Sequence, residues 1–256
     1  MLVCALGDLI LDVIVRLDRP LAGGDDTLAT ARLAPGGQAA NVAAWAVELG
    51  ARGRLVTKRA NDEAGRLLAA ELERRGVEVA GPVVDGRTGV VVSLVERGGE
   101  RSMASDRGAG AELRPDELED AWFDCDVLHV SCYALTLAER AAEAARARGA
   151  RVSVDLSAES LIDRTFREHL RRVAPDIVFA TEREAAAAGA VPGAILVVKL
   201  GPRGLAVDGE EFPARAVDAV DSTGAGDALA AGFLVGGPEL GLEAAARCVA
   251  QVGAMP

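Results

Sequence analysis

Aromatic side chains are scarce in this sequence: one tyrosine, two tryptophans and five phenylalanines among 256 residues. Little is available to stack on a base, which leans toward a ligand without one. Lysine occurs only at Lys58 and Lys199; arginine supplies the other basic residues, a bias we attribute to codon usage. Acidic residues outnumber basic ones by 39 to 28, and the net charge of −11 speaks against a nucleic-acid or anionic-membrane partner. An anionic substrate would need locally placed cations or a metal. Cys4, Cys125, Cys132 and Cys248 lack the spacing of a disulfide framework, so reduced, cytosolic thiols are expected. Cys125, His129 and Cys132 invite a metal reading, but on a buried strand 125 and 129 face opposite to 132, and core packing is the better expectation. No uncharged run reaches the ~18 residues of a membrane span without Gly or Pro. The N-terminal MLVCALGDLILD has no basic leader and reads as a strand, not a signal peptide. A soluble, cytoplasmic protein is expected. Missing too are GxxxxGKS/T, a GxGxxG after a strand, GxSxG, HExxH and a CxxC pair, which excludes P-loop, dinucleotide-binding, serine-hydrolase and zincin chemistry.

What is present suits one large α/β domain, since half of the residues are hydrophobic and can bury a sizeable core. Residues 2–6 form a short apolar run of the kind found in a central strand covered on both faces. Asp8 and Asp12 follow it, where ligands collect at the carboxyl ends of parallel strands. Strands are expected over 13–17, 27–33, 54–57, 87–96 and 101–106, the last two joined by a turn at 97–100. A helix is expected over 62–76 with Leu67, Leu68 and Leu72 on one face. From residue 115 the chain alternates: helices over 115–121, 136–148, 159–173, 182–188, 226–235 and 239–252, and strands over 127–131, 151–156, 177–180 and 194–200, with a hairpin across 205–220. Such alternation implies a parallel sheet with helices on both faces. The strands within 13–33 and 87–106 fall outside that pattern and read as a separate small sheet.

Residues 217–236, VDAVDSTGAGDALAAGFLVG, carry the strongest chemical signal. An apolar, strand-like lead-in ends at Asp221, small residues follow, and Asp227 opens a helix. Gly224, Ala225 and Gly226 let main-chain N–H groups approach one point, and the helix adds its unpaired N–H groups and positive dipole end. An anion, most often phosphate, is attracted there, with the Asp227 carboxylate beside it to take a proton from a hydroxyl. A plain N-cap, worth about 1 kcal/mol, is the competing reading of Asp227. A second site lies far upstream: Pro35, Gly36 and Gly37 form a turn, and Asn41 lies one turn into the following helix. Taken alone, these would be a helix-entry turn and a cap or solvated amide.

Together the two stretches carry a resemblance. DSTGAGD resembles the C-terminal signature of the ribokinase-like (PfkB) carbohydrate kinases, and PGGQAANVAAWAVELGA, residues 35–51, resembles their N-terminal glycine motif. The resemblance spans nearly the whole chain. It implies a ribokinase-like three-layer α/β/α fold with a mostly parallel sheet, forming a single kinase domain over 1–256, with the small sheet as a lid and frequent homodimer contact. It implies transfer of the ATP γ-phosphate to a small sugar, with Asp227 as general base and the Gly224-Ala225-Gly226 turn as anion hole. Asp12, Gly37 and Asn41 match hydroxyl-binding positions, with Gly36 and Asp8 adjoining. Lys199, Gly201 and Gly204 resemble the strand end that contacts ATP. Thr181 and Glu184 stand where the family has NxxE, Glu184 matching the residue that organises Mg²⁺ through water. Thr181 in place of Asn, and Ser222 where Thr is commoner, are departures. Asp221 and Thr223 resemble positions that help bind a monovalent cation, K⁺ being the candidate. The chain also stops sooner than such proteins do, which implies a thin adenine-side wall. A nucleoside kinase of the same fold, a sugar-phosphate kinase using Arg101 or Arg107, and a catalytically weak sugar-binding regulator are the alternatives.

Overall fold

A computed structural model describes residues 1–96 and 101–256. Its first strand, β1 (Leu2–Leu6), is buried at every position, as an apolar run requires when both faces of a sheet are covered. β2 (Ile10–Leu17) and β3 (Ala29–Gly36) lead into α1 (Gln38–Glu48), then β4 (Arg52–Val56), β5 (Arg59–Ala60) and α2 (Glu63–Arg74). After β6 (Val77–Ala80) and β7 (Val83–Val84) come β8 (Thr88–Val95) and β9 (Arg101–Gly108). The turn expected at 97–100 lies outside the described residues, as does the side chain of Arg101. The second half runs β10 (Val127–Ser131), α3 (Leu135–Arg146), β11 (Arg151–Asp155), α4 (Arg164–Val173), β12 (Ile177–Thr181), α5 (Glu182–Ala188) and β13 (Ile195–Lys199). It closes with the hairpin β14 (Gly204–Val207) and β15 (Glu210–Pro213), then α6 (Ala225–Gly236) and α7 (Pro238–Val249).

The main sheet has the order β15-β14-β13-β12-β11-β10-β1-β4-β6, and β14 alone runs against the other strands, antiparallel to both β13 and β15. Alternate residues of β1 serve opposite layers: Val3 and Ala5 pack with α1, α2, α6 and α7, whereas Cys4 and Leu6 pack with α3, α4 and α5. The two cores enclose large side chains such as Trp45, Phe123 and Phe179, each worth about 1.5–3 kcal/mol when removed from water. A second sheet, β3-β2-β8-β9, pairs β2 with β8 in parallel and the outer strands antiparallel. The three-layer fold and the separate small sheet are thus as expected from the sequence. Among the described residues, no helix is long and apolar enough to cross a membrane.

Several local expectations fail, each for a physical reason. The helix expected over 115–121 is two short 3-10 turns, Pro115–Glu117 and Asp120–Phe123. Glu117 accepts from the Arg114 N–H and from the ammonium of Lys58, far upstream, which holds the segment as a turn. The helix expected over 159–173 breaks because Asp163 accepts from the Phe166 N–H and begins a new helix there. Pro35 and Gly36 belong to β3, paired with Leu11 and Ile10, so the expected turn shrinks to Gly37; an edge strand tolerates proline. Asp12 lies within β2 and not beyond a main-sheet strand. On α2 the buried face is Gly65, Leu68, Ala69 and Leu72, at helical spacing, and Leu67 is 61% exposed. The lead-in at 217–220 is not a strand; the hairpin ends at Pro213, and the Val220 N–H is tied to Val249 of α7. β6 and the β5–β7 pair were too short for their pattern to register.

The four cysteines are unpaired and buried; core packing was the expectation for Cys125 and Cys132. Their facing differs from expectation: Cys125 and Cys132 share the α3 side, because Cys125 precedes β10 and Cys132 follows it, while His129 faces Phe179 across the sheet. Its Nδ1 meets the Ser153 hydroxyl at 2.9 Å, and burial pushes the imidazole down to about 4, so it is a neutral core group at physiological pH.

Candidate active site

Strand order reverses at β1, which lies between β4 and β10. The crevice at the carboxyl ends of these strands is where open α/β sheets collect ligands. Asp8 follows β1, Ser131 ends β10, Asp155 ends β11, Thr181 ends β12 and Lys199 ends β13. The N-termini of α1 and α6 arrive at the same edge, through Gly37 and Gly224.

Gly224 is the residue before α6 and sits in the left-handed region, with φ 78° and ψ −1°. No side chain caps this helix start, so Asp227 is not an N-cap. The Thr223 N–H is held by the Asp221 carboxylate at 2.9 Å and the Ala225 N–H turns back to Ser222 at 3.3 Å. Gly226 and Asp227 therefore present the main-chain N–H groups of the first turn, which a helix leaves without internal acceptors.

The Asp227 carboxylate turns away from its own helix and accepts a hydrogen bond from Asn41 Nδ2 at 2.7 Å. Residues 186 positions apart thus meet between α6 and α1. Asn41 is buried, not the solvated amide that was one reading of it, and its Oδ1 has no hydrogen-bond partner among the described residues. Burial pushes the Asp227 carboxyl up to about 7; the Asn41 bond and the charge of Lys199 oppose this, while Asp155 and Asp8 add to it.

Gly37, at φ 104°, has its Cα against the main-chain carbonyl of Asp8, where a Cβ would collide. The Asp12 carboxylate packs against Gly36 in the same way. Asp8 and Asp12 nevertheless border different spaces. Asp12 faces a cleft of about 430 Å³ between the small sheet and residues 220–223. Asp8 borders a cavity of about 120 Å³ with Arg107 and Tyr133. Burial pushes the Asp8 carboxyl up, against the Arg107 guanidinium 2.6 Å away, which itself lies 3.5 Å over the Tyr133 ring.

On the far side of α6 a cavity of about 390 Å³ is lined by Lys199, Gly201, Gly204, Gly226 and apolar residues including Val217, Leu229, Leu242 and Val249. Ser222 borders both this cavity and the cleft under the small sheet, so the DSTGAGD loop separates a polar space from an apolar one. Thr181 and Glu184 form a reciprocal capping box at the start of α5, the Thr181 N–H donating to Glu184 Oε2 at 2.7 Å. Asp221 is engaged by Thr223 and by the Gly253 N–H. Among the described residues, no group of three or more His, Cys, Asp or Glu side chains could cage a metal ion.

Residues the sequence reading passed over also gather here. Asp155 is fully buried and bonded to Lys199, and Ser157 and Gln38 connect it to the start of α1. The carboxyl-end rule that singled out Asp8 would have found Asp155, since it ends a strand of the same sheet.

Comparison with known proteins agrees with this layout. The model of the pfkB family carbohydrate kinases matches residues 1–255. An ATP-dependent ribose-1-phosphate kinase of Halopiger xanaduensis is 34% identical, over 93% of this chain and 86% of that protein. A cytidine kinase of Thermococcus kodakarensis is 32% identical, over 79% of this chain and 80% of the other. The solved structure of adenosine kinase from Sinorhizobium meliloti superposes with a TM-score of 0.88 at 28% identity, covering 99% of this chain and 95% of that one. With two glycine motifs folded onto one edge of a ribokinase-like sheet, the chain belongs to the pfkB family of carbohydrate kinases, phosphotransferases whose acceptor is an alcohol.

Proposed function

We propose that this protein transfers the γ-phosphate of ATP to a hydroxyl of a small sugar, within a single kinase domain spanning 1–256. The observation that carries the reading is the 2.7 Å bond between Asn41 and Asp227 at an uncapped helix N-terminus. It joins a hydroxyl-binding amide, a base and an anion hole in one place. Asp12, Gly36, Gly37 and Asn41 hold the sugar, with Asp8 beside them, under the small sheet as a lid. Asp227 takes the hydroxyl proton as the oxygen attacks. The Gly224-Ala225-Gly226 turn receives the phosphoryl charge, mainly through the Gly226 and Asp227 N–H groups, because those of Thr223 and Ala225 are engaged within the loop. Such preorganised donors are worth most where charge develops.

ATP lies with its base in the apolar cavity and its phosphates toward Lys199, Gly201 and Gly204. A lone carboxylate, Glu184, with no acidic cage among the described residues, fits Mg²⁺ held mainly by phosphates and water. Bound there, Mg²⁺ neutralises phosphate charge. Thr181 orients Glu184 through the capping box, in place of the more usual Asn. A monovalent cation near Asp221 and Thr223 is a lesser expectation, since both Asp221 oxygens already accept hydrogen bonds. Four unpaired, buried thiols support a cytoplasmic setting.

A second reading is an acceptor that already carries a phosphate. Arg107 favours it: one N–H serves Asp8, and the guanidinium lines the cavity that Asp8 and Tyr133 share. The relative from Halopiger xanaduensis, named for ribose-1-phosphate, points the same way. Nucleotide turnover measured across free sugars, sugar phosphates and nucleosides tests both. A free sugar giving the highest kcat/KM supports the first reading. A sugar phosphate that R107A alone abolishes supports the second, and turnover with nucleosides only would overturn both. A homodimer through the small sheet, whose outer strand β3 is largely exposed, is expected on size-exclusion chromatography; a monomer at working concentration would count against it.

A further inference from the structure

The ammonium of Lys199 meets both oxygens of Asp155, at 2.7 and 2.9 Å. The Lys199 side chain is 13% exposed and Asp155 is not exposed at all. Burying such a pair contributes little to stability on balance, because both charges must leave water. Its placement is more telling. Lys199 Nζ lies 3.5 Å from where a Cβ on Gly226 would be, over the first turn of α6, and it borders the apolar cavity together with Ser222 and Gly226. A lysine is a compact charge on a flexible stem, suited to a short movement. Burial alone would ease its proton off, but Asp155, with Glu184 and Asp227 beyond, holds it above the usual lysine range, so it stays charged. In a chain of net charge −11, this puts a cation beside the uncapped N–H groups.

Asp155 is itself fixed. Its Oδ1 also accepts from the Ser157 N–H at 3.1 Å and the Ser157 hydroxyl at 2.6 Å. Ser157 keeps φ at 30°, a strained value for a residue with a side chain, and its hydroxyl is bonded by Gln38 at the start of α1. The carboxylate is therefore tied to the acceptor side of the crevice while its partner cation faces the donor side.

We propose that Lys199 is a catalytic residue whose ammonium moves from Asp155 onto the oxygens of the transferring phosphoryl group, and that Asp155 is the positioning residue that aims it. This rests on the kinase reading above. In the step, the acceptor oxygen bonds to the γ-phosphorus and the bond from that phosphorus to the bridging oxygen of ADP breaks. The hydroxyl proton passes to Asp227. Lys199 keeps its protons and forms no covalent bond.

The test compares the wild-type chain with K199M and with the double variant K199M/D155N, in nucleotide binding, turnover and melting temperature. K199M is expected to bind β,γ-methylene-ATP about tenfold more weakly, one decade of affinity, with ADP within about twofold. Its kcat is expected to fall by about 100-fold or more, the scale of losing one transition-state donor. K199M alone also leaves Asp155 buried and unpaired, so its melting temperature drops. The double variant removes both charges and is expected to recover the melting temperature without recovering turnover. Recovery of turnover in the double variant, or unchanged affinity of K199M for both nucleotides, would overturn the proposal. If the wild type phosphorylates no sugar, the acceptor assignment fails instead, and the comparison of β,γ-methylene-ATP with ADP still decides the role of Lys199.

Discussion

Replacing Asp227 by Asn is expected to lower kcat by about 10²–10⁴-fold, the usual worth of a general base, with the sugar KM within about threefold. The amide is the same size and can still pair with Asn41, so geometry is kept and only the capacity to take a proton is lost. The same substitution has an opposite effect on stability, and its sign follows from the pKa. Asp227 titrates near 7 in the folded protein against an ordinary 3.8. The folded state therefore binds this proton more tightly than the unfolded one. The stability it contributes is full below about 3.8 and is lost as pH rises through 7. At pH 8 the ionised carboxylate is a cost, and D227N is expected to stabilise by roughly 2 kcal/mol, reduced because the group is only partly buried. At pH 4 the gain should vanish. A melting temperature raised at pH 8 but not at pH 4, in a variant with little turnover, would be the signature of a residue held against stability for function.

The second large effect is expected from Gly224→Ala. At φ 78° an alanine sits in the left-handed region, at a cost of about 1–2 kcal/mol. Its Cβ would also lie 2.5 Å from Ala254 Cβ and 2.6 Å from Ala254 Cα, so the main chain must shift. A loss of about 2–4 kcal/mol in denaturant unfolding is expected from strain and overpacking together. Because the displaced segment carries the Gly226 and Asp227 N–H groups, kcat is expected to fall by about 10²-fold or more as well. Gly149, after α3, provides the control. It too has a positive φ, 83°, with nothing within 4 Å of its Cβ position, so G149A should lose only the strain and keep its turnover. Equal losses in the two variants would mean that the conformation at Gly224, and not its contact with residue 254, accounts for the effect.

The layered fold was readable because its information is local. Buried strands such as β1 and β10 are short apolar runs, and helices such as α3 carry an amphipathic period between them. The small sheet was readable by exception, as strands breaking the alternation. Where a single polar contact decides an element's end, the pattern misled: Asp163 starts a helix inside an apparently longer one, and Glu117 stops another from forming. Asp227 and Asn41 could each be suspected from glycine motifs, but their bond depends on two helices, far apart in sequence, packing side by side on one face of the sheet. Asp8 and Asp12, close in sequence, border different cavities because the chain leaves the main sheet between them. Asp155 was legible only as the end of an expected strand, the position that singled out Asp8, and its significance lies in its bond to Lys199, 44 residues away.

The central claim is that Asp227 accepts the proton of the sugar hydroxyl, and the pH dependence of kcat/KM for the wild-type chain tests it most directly, since that ratio reports the base in the protein before the sugar binds. With Asp227 titrating at about 7, kcat/KM should be level above that pH and fall about tenfold per unit below it, since only the ionised carboxylate can act as base. A kcat/KM that stays flat from about pH 5 to 9 would contradict the assignment.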